Sequence, residues 1–367
     1  MVVCTDRPTT PKGFDNEIAI KESWISRTSF GRHRSAASDI VWIINETGGG
    51  GASAGPSDFA NLIKPSAASG CPSTACSEIT NAVKAGLDVK SAPATLHPPL
   101  NTHFADTGFP PLGQCSRLDI PVQNNPGAYS GPCTWMASDP QAPRILLIGD
   151  SHATVQWSFA FQQMSSELHY SFGLLAREGC RVGEGLWNTL PRATGGPPPN
   201  QCEDFASQSI KFANSFNPDI VVLATRTKNI PSYTAQEEAL FEKGLSRFIA
   251  EVKAPNRQVY VMSDNPRSYS GPACLSAHAS NVQVCNAPVS YALSNSSQNI
   301  ILKAVKEQGV HWINEIPWLC TDTKCPVIID SYQVYKDNDH LTDTYCVHLI
   351  PVLEEAMGLT APATKAS

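Results

Sequence analysis

Two short stretches of this 367-residue chain carry residue types that together could do acyl chemistry. The first is Gly149-Asp150-Ser151-His152, directly behind the apolar run Arg144-Ile-Leu-Leu-Ile148. That run is too short for a helix and reads as a buried strand. Gly149 and Asp150 break it, and a helical pattern begins at Ser151, with Val155, Phe159 and Met164 near one face. A strand turning sharply into a helix presents the turn residue at the carboxyl edge of a sheet, where the first helical N–H groups favour negative charge. A serine hydroxyl there lies beside donors able to hold an oxyanion. On the tetrapeptide alone, helix capping is the plainer explanation of Ser151. The second stretch, Tyr335-Lys-Asp-Asn-Asp-His-Leu-Thr342, changes that weighing, because Asp337 stands three residues before His340. A serine nucleophile needs an imidazole to take its proton and a carboxylate to fix the imidazole tautomer. Ser151, His340 and Asp337 are the candidates for these three roles.

Gly-Asp-Ser early in an α/β unit and Asp-x-x-His near its end resemble the first and last blocks of the SGNH (GDSL-type) hydrolases. The form Gly-Asp-Ser-His-Ala at 149–153 and the form Asp-Asn-Asp-His-Leu-Thr at 337–342 are closer still to one subfamily. That subfamily is the extracytoplasmic SGNH domain fused to acyltransferase-3 membrane proteins. The resemblance implies that Gly179, after the second strand, joins the Ser151 N–H in an oxyanion hole; without the family, Gly179 is an ordinary turn glycine. It weakens at the third block. SGNH enzymes broadly carry Gly-x-Asn-Asp there, and the fused type often Arg-Trp, whereas this chain reads Ala-Thr-Arg-Thr-Lys-Asn229. Arg226 and Asn229 are therefore substrate-side candidates, against the commoner explanation of a surface arginine.

The elements that must position these residues follow in order. Cys76–Val89 reads as a short amphipathic helix, followed by a Pro-rich extended stretch, Ala92–Leu112. After the Ser151 helix come strands at His169–Ala176, Pro218–Ala224, Gln258–Met262 and Val310–Ile313. Helices are expected at Gln201–Phe216, Thr234–Lys253, Pro288–Gln308 and Leu341–Met357. Alternating strands and helices imply a parallel sheet covered on both faces, with ligands at the carboxyl ends of the strands. The fold expected is thus a three-layer α/β/α sandwich on a five-stranded parallel flavodoxin-like sheet. Its domain would span 143–360, after a Pro/Cys-rich lead-in at 61–142 and a poorly ordered segment with a Gly-rich linker at 1–60; 361–367 reads as a tail. The glycine run at Gly48–Gly51 is no phosphate loop, because no Gly-Lys-Ser/Thr closes it.

A net charge of −6, with no basic cluster, argues against a nucleic-acid surface. No apolar run approaches the ~18 residues of a membrane span, and the N-terminus lacks the apolar core of a signal peptide. Twelve cysteines argue for an oxidising, extracytoplasmic compartment all the same. The expectation is that any targeting element lies upstream. Close-set pairs are Cys71/Cys76, Cys115/Cys133, Cys180/Cys202, Cys274/Cys285 and Cys320/Cys325, with Cys4 and Cys346 left over. Two C-x4-C spacings admit zinc, but no matching histidine or second pair accompanies them, so disulfides are favoured and no metal is expected. Connectivity stays open at this level.

The leading expectation is an SGNH-type esterase or O-acyltransferase with an acyl-serine intermediate and no cofactor. The resemblance implies an acylated glycan or glycolipid as substrate and a membrane acyltransferase-3 domain as acyl donor. The alternative is a non-catalytic glycan-binding domain that retains the fold. The altered third block favours that alternative; the intact Ser, Asp and His positions count against it.

Overall fold

Six strands form the central sheet: β1 Cys133–Trp135, β2 Arg144–Gly149, β3 Ser171–Ala176, β4 Ile220–Ala224, β5 Gln258–Met262 and β6 His311–Ile313. Their order is β1-β3-β2-β4-β5-β6. This is a computed structural model, and it describes residues 74–100, 133–183, 199–227, 234–294 and 298–359, all within the unit Ala52–Ser367. Strands β2 to β6 are parallel, and β1 runs antiparallel along the free edge of β3. The expected five-stranded parallel sheet is present, then, with one short antiparallel strand added. At three residues, β1 is too brief to register as a pattern in the sequence. The expected N-terminal segment, the linker and the tail lie outside the described residues.

Alternation along the strands divides the core. Ile145 and Leu147 of β2 face one layer, Leu146 and Ile148 the other, and all four are fully buried. The first layer contains α1 Thr74–Gly86, α2 Ser158–Glu167, α7 Asp343–His348 and α8 Ile350–Met357. The second contains α3 Pro199–Phe216, α4 Ala235–Val252 and α6 Gln298–Gln308. A further short helix, α5 Gly271–Ala277, lies between β5 and α6 in sequence. Helix α4 follows its sequence signals closely. Thr234 and Glu237 form a reciprocal capping box, and Phe241, Leu245, Phe248 and Val252 are buried.

Other elements depart from expectation for local reasons. The turn after Ser151 is π-helical over His152–Trp157 before α2 begins. The wider turn shifts the buried face, so that Trp157, Ala160, Phe161 and Met164 are buried, while Val155 and Phe159 are only half-buried. His169 adopts φ +58° in the turn before β3, so the second strand starts at Ser171. The helix expected over 288–308 divides into a single turn, Val289–Ala292, and α6. That expected over 341–357 is two helices, the second admitting Pro351 in its first turn.

Disulfides join Cys180 to Cys202, Cys274 to Cys285 and Cys320 to Cys325. Cys76 and Cys133 are also disulfide-bonded; Cys71 and Cys115 lie outside the described residues. Such cysteine usage belongs to an extracytoplasmic domain. Among the described residues no helix is long and apolar enough to cross a membrane.

Candidate active site

Gly149 ends β2 against β4 at a separation no other residue tolerates. A Cβ on it would lie 1.8 Å from the Ala224 carbonyl oxygen and 2.7 Å from the Ala153 Cβ. The chain leaves the sheet there, at the point where the strand order reverses, with β3 on one side of β2 and β4 on the other. Asp150 is buried and stitches this turn together. Its Oδ1 accepts from the His152 N–H (3.0 Å), and its Oδ2 accepts from the Arg226 N–H (2.8 Å) and the Thr225 hydroxyl (3.3 Å). Ser151 is thereby held at the carboxyl edge of the sheet, with helical backbone angles (φ −60°, ψ −25°) and no side-chain capping bond. Its hydroxyl is not a helix cap.

The Ser151 Oγ meets His340 instead. The His340 Nε2 stands 2.8 Å from it, and the His340 Nδ1 stands 2.7 Å from the Asp337 Oδ2. The other Asp337 oxygen accepts from the backbone N–H groups of Asp339 and His340, both at 2.6 Å. Burial pushes the Asp337 carboxyl up, but the hydrogen bond and charge of His340 and these two N–H donors outweigh it, holding it below its ordinary value. An ionised Asp337 accepts only, so the proton between the two groups belongs on Nδ1. That leaves the Nε2 lone pair for the serine O–H. The three residues, 189 positions apart at the extremes, form one continuous hydrogen-bonded line.

Tight local pairing positions the loop that carries His340. The Lys336 N–H donates to the His340 carbonyl (3.0 Å), and Tyr335 bridges to Leu341. The Thr342 hydroxyl caps α7 and donates to the Gln333 carbonyl (2.6 Å). The segment after β5 then laces the loop down. Ser268 donates its hydroxyl to the Asp337 carbonyl (2.8 Å), and Asn265 donates to the Asp339 carbonyl (2.7 Å). Gln156, buried on the π-helical turn, accepts from the Leu341 N–H (3.1 Å) and donates to the Asn265 side chain (3.3 Å). Nucleophile turn and base loop are thus tied through one buried amide pair.

Beneath the imidazole lies a group of charges that sequence reasoning missed. His152, fully buried, packs its ring edge-on to His340 with centroids 5.3 Å apart. Its Nδ1 lies 3.6 Å from Asp264 and its Nε2 3.9 Å from Asp339; both are ion-pair rather than hydrogen-bond distances. Burial pushes the imidazole down, but Asp339 foremost, with the charges of Asp150 and Asp264, raises it to about 9. Arg226 reaches the same Asp339 through its Nε at 3.0 Å. Asp264 also accepts from the Thr227 N–H (3.0 Å) and hydroxyl (2.8 Å). Thr227 fills the position where the fused-type pattern carries Trp. His152, Asp339 and His340 bring metal-ligand types within 4.8 Å of one another, but the Arg226 guanidinium already neutralises Asp339 there. The only advance signals were His152 beside the serine and the Asp264-Asn-Pro run after β5.

The remaining sequence candidates are dispersed. Gly179 follows β3 with φ +76°, the left-handed conformation that explains glycine at this turn. The Arg177 N–H donates to the Gly149 carbonyl (2.9 Å), so the end of β3 lies beside the nucleophile turn, and Cys180–Cys202 anchors the residue after Gly179. Arg226 is engaged with Asp339, and Asn229 lies outside the described residues.

A family model for the SGNH domain (fused to AT3 domains) matches residues 115–355, more than half of the chain. The chain belongs to this SGNH family. No curated protein matches it in sequence. Among solved structures, this SGNH domain is similar to the periplasmic domain of a lipopolysaccharide acetyltransferase from Salmonella ser. Paratyphi A. Identity is 13% and the TM-score 0.49, over 71% of this chain and 97% of that one. It is also similar to an acetylxylan esterase from Geobacillus stearothermophilus, at 12% identity and TM-score 0.39, covering 63% and 99%. A lipase/acylhydrolase from Enterococcus faecalis gives 12% and 0.36, covering 60% and 100%.

Proposed function

We propose that this SGNH domain is a serine-dependent carbohydrate esterase or O-acyltransferase. It acts on acyl esters, acetyl foremost, of cell-envelope glycans or glycolipids, outside the cytoplasm. The observation that carries the reading is the unbroken line from Ser151 through His340 to Asp337, at 2.8 and 2.7 Å. In the first half-reaction the Ser151 Oγ attacks the acyl carbonyl carbon while the His340 Nε2 takes its proton. Asp337 holds the imidazole in the tautomer that makes this possible and offsets the charge it acquires. The carbonyl oxygen, now an oxyanion, is received by the Ser151 and Gly179 N–H groups. His340 gives its proton to the departing alcohol oxygen, leaving acyl-Ser151. In the second half-reaction the same Nε2 deprotonates a water or an acceptor hydroxyl, which attacks the acyl carbon and frees the serine. Water gives hydrolysis and a glycan hydroxyl gives transfer. The family's description supports a membrane acyltransferase-3 domain as the source of acyl groups for transfer.

Hydrolysis of p-nitrophenyl acetate by the purified chain tests this. Ser151→Ala and His340→Ala should each lower kcat by about 10⁴-fold or more. A folded Ser151→Ala that keeps the wild-type rate would overturn the assignment. Glycan binding with no turnover at all would favour the non-catalytic alternative.

A further inference from the structure

A cavity of about 290 Å³ opens at the other end of the sheet from Ser151. Register places it there: Gly149 pairs with Ala176 at the catalytic edge, and Arg144 with Ser171 at the opposite edge. The cavity gathers around the start of β3, the end of α2 and the exit of β1. Its frame is tied by hydrogen bonds. The Ala137 N–H donates to the Ser171 hydroxyl (3.1 Å), and the Tyr170 N–H to the Ser165 carbonyl (2.7 Å). It is a preformed hollow, close to the lower bound of about 300 Å³ for small-ligand sites.

Its lining is of two kinds. Trp135, stacked on Phe172 with centroids 5.3 Å apart, joins Tyr170 and the exposed side chain of Met136 as an apolar wall. Gln162, Ser165 and His169 supply amide, hydroxyl and imidazole groups. Among the described residues no Lys or Arg lines the cavity and the Asp139 carboxylate does, which disfavours a phosphate or other anion. Ser165 is buried, and its hydroxyl has no hydrogen-bond partner among the described residues.

We infer that this cavity is a binding site for a neutral pyranoside. One face of such a ring carries C–H groups that pack on an aromatic side chain, while its rim carries hydroxyls that both donate and accept. The rim hydroxyls meet Gln162 and His169, and the C–H face meets Trp135 and Tyr170. The volume suits a single ring. The ligand class is read from the lining alone. That the ring belongs to the same glycan whose ester is handled at Ser151 rests on the proposed function. On that basis the cavity anchors the chain of sugars at a distance from the catalytic edge.

The test titrates the full chain with neutral methyl hexopyranosides. It follows the Trp135 indole N–H resonance, assigned as the one missing from Trp135→Phe. A saturable shift is expected, with a dissociation constant in roughly the millimolar range. Gln162→Ala, a substitution that suits a helix, should weaken binding by about fivefold or more and leave hydrolysis of p-nitrophenyl acetate unchanged. Absence of any shift up to about 100 mM glycoside, in a chain that hydrolyses the acetate, would overturn the site and leave the esterase reading standing. A shift produced by octanoate but by no glycoside would also overturn it and make the cavity an acyl-chain site. Glycoside binding by a chain with no esterase activity would support the cavity and count against the catalytic reading alone.

Discussion

The buried His152 makes a prediction about stability whose sign and size both follow from the structure. Its imidazole is raised from an ordinary 6.5 to about 9, because it faces Asp339, Asp150 and Asp264, with Arg226 and His340 as the opposing neighbours. The fold therefore binds a proton here that the unfolded chain gives up near 6.5. The stabilisation is fully present below that value and is lost as pH rises through about 9. At roughly 1.4 kcal/mol per pH unit, the interval amounts to about 3 kcal/mol. His152→Gln removes the titration, keeps a side chain of similar reach and leaves every other group in place. Urea unfolding of both proteins at about pH 6.5 and about pH 9.5 isolates the contribution. The wild type should lose about 3 kcal/mol more than the variant between the two. The variant should be markedly weaker only at the lower pH. Parallel losses in the two proteins would refute the account and make the cluster around Asp339 a network that does not depend on the His152 charge.

Other substitutions test how the site is built. Gly149→Ala drives a methyl group into the Ala224 carbonyl. It should cost about 3 kcal/mol or more, measured by denaturant midpoint, because the nearest atom it meets is backbone of a central strand and cannot swing aside. Gln156→Ala opens the amide link between Leu341 and Asn265. A stability loss of about 1–3 kcal/mol is expected from the groups left unpaired, with a fall in kcat larger than any change in KM as His340 loosens over Ser151. Replacing Cys180 and Cys202 by Ala releases a loop with sequence separation 22. The melting temperature should drop with a loss of about 2–4 kcal/mol, while Ser151 stays reactive.

Much of this architecture is legible in the sequence because it rests on local pattern. The apolar runs ending at Ile148, Ala224 and Met262 announce strands that are buried on both faces. Ser151, Asp337 and His340 stand in short blocks whose residue types have one natural joint chemistry. What escapes is whatever depends on distant chain segments meeting. His152 reads as a helix residue until Asp264 and Asp339 arrive from two other loops. Gln156 reads as polar surface until the loop carrying Leu341 closes over it. The π-helical turn is equally silent in the sequence, since a helical period read from Ser151 puts Val155 and Phe159 inward, where the wider turn buries Trp157 and Phe161. Arg226 is a substrate-side candidate or a surface arginine by sequence, and its partner Asp339 emerges only where β4 and the His340 loop lie side by side.

The central claim is that Ser151 is a nucleophile activated by His340, and covalent labelling measures that directly. Intact-mass analysis of the purified chain after exposure to a serine-directed organophosphate should show one adduct, mapped by peptide sequencing to Ser151. In His340→Ala, folded as judged by circular dichroism, labelling should slow by about 10³-fold or more. Labelling that maps to another serine, or that proceeds at the wild-type rate in His340→Ala, would contradict the account.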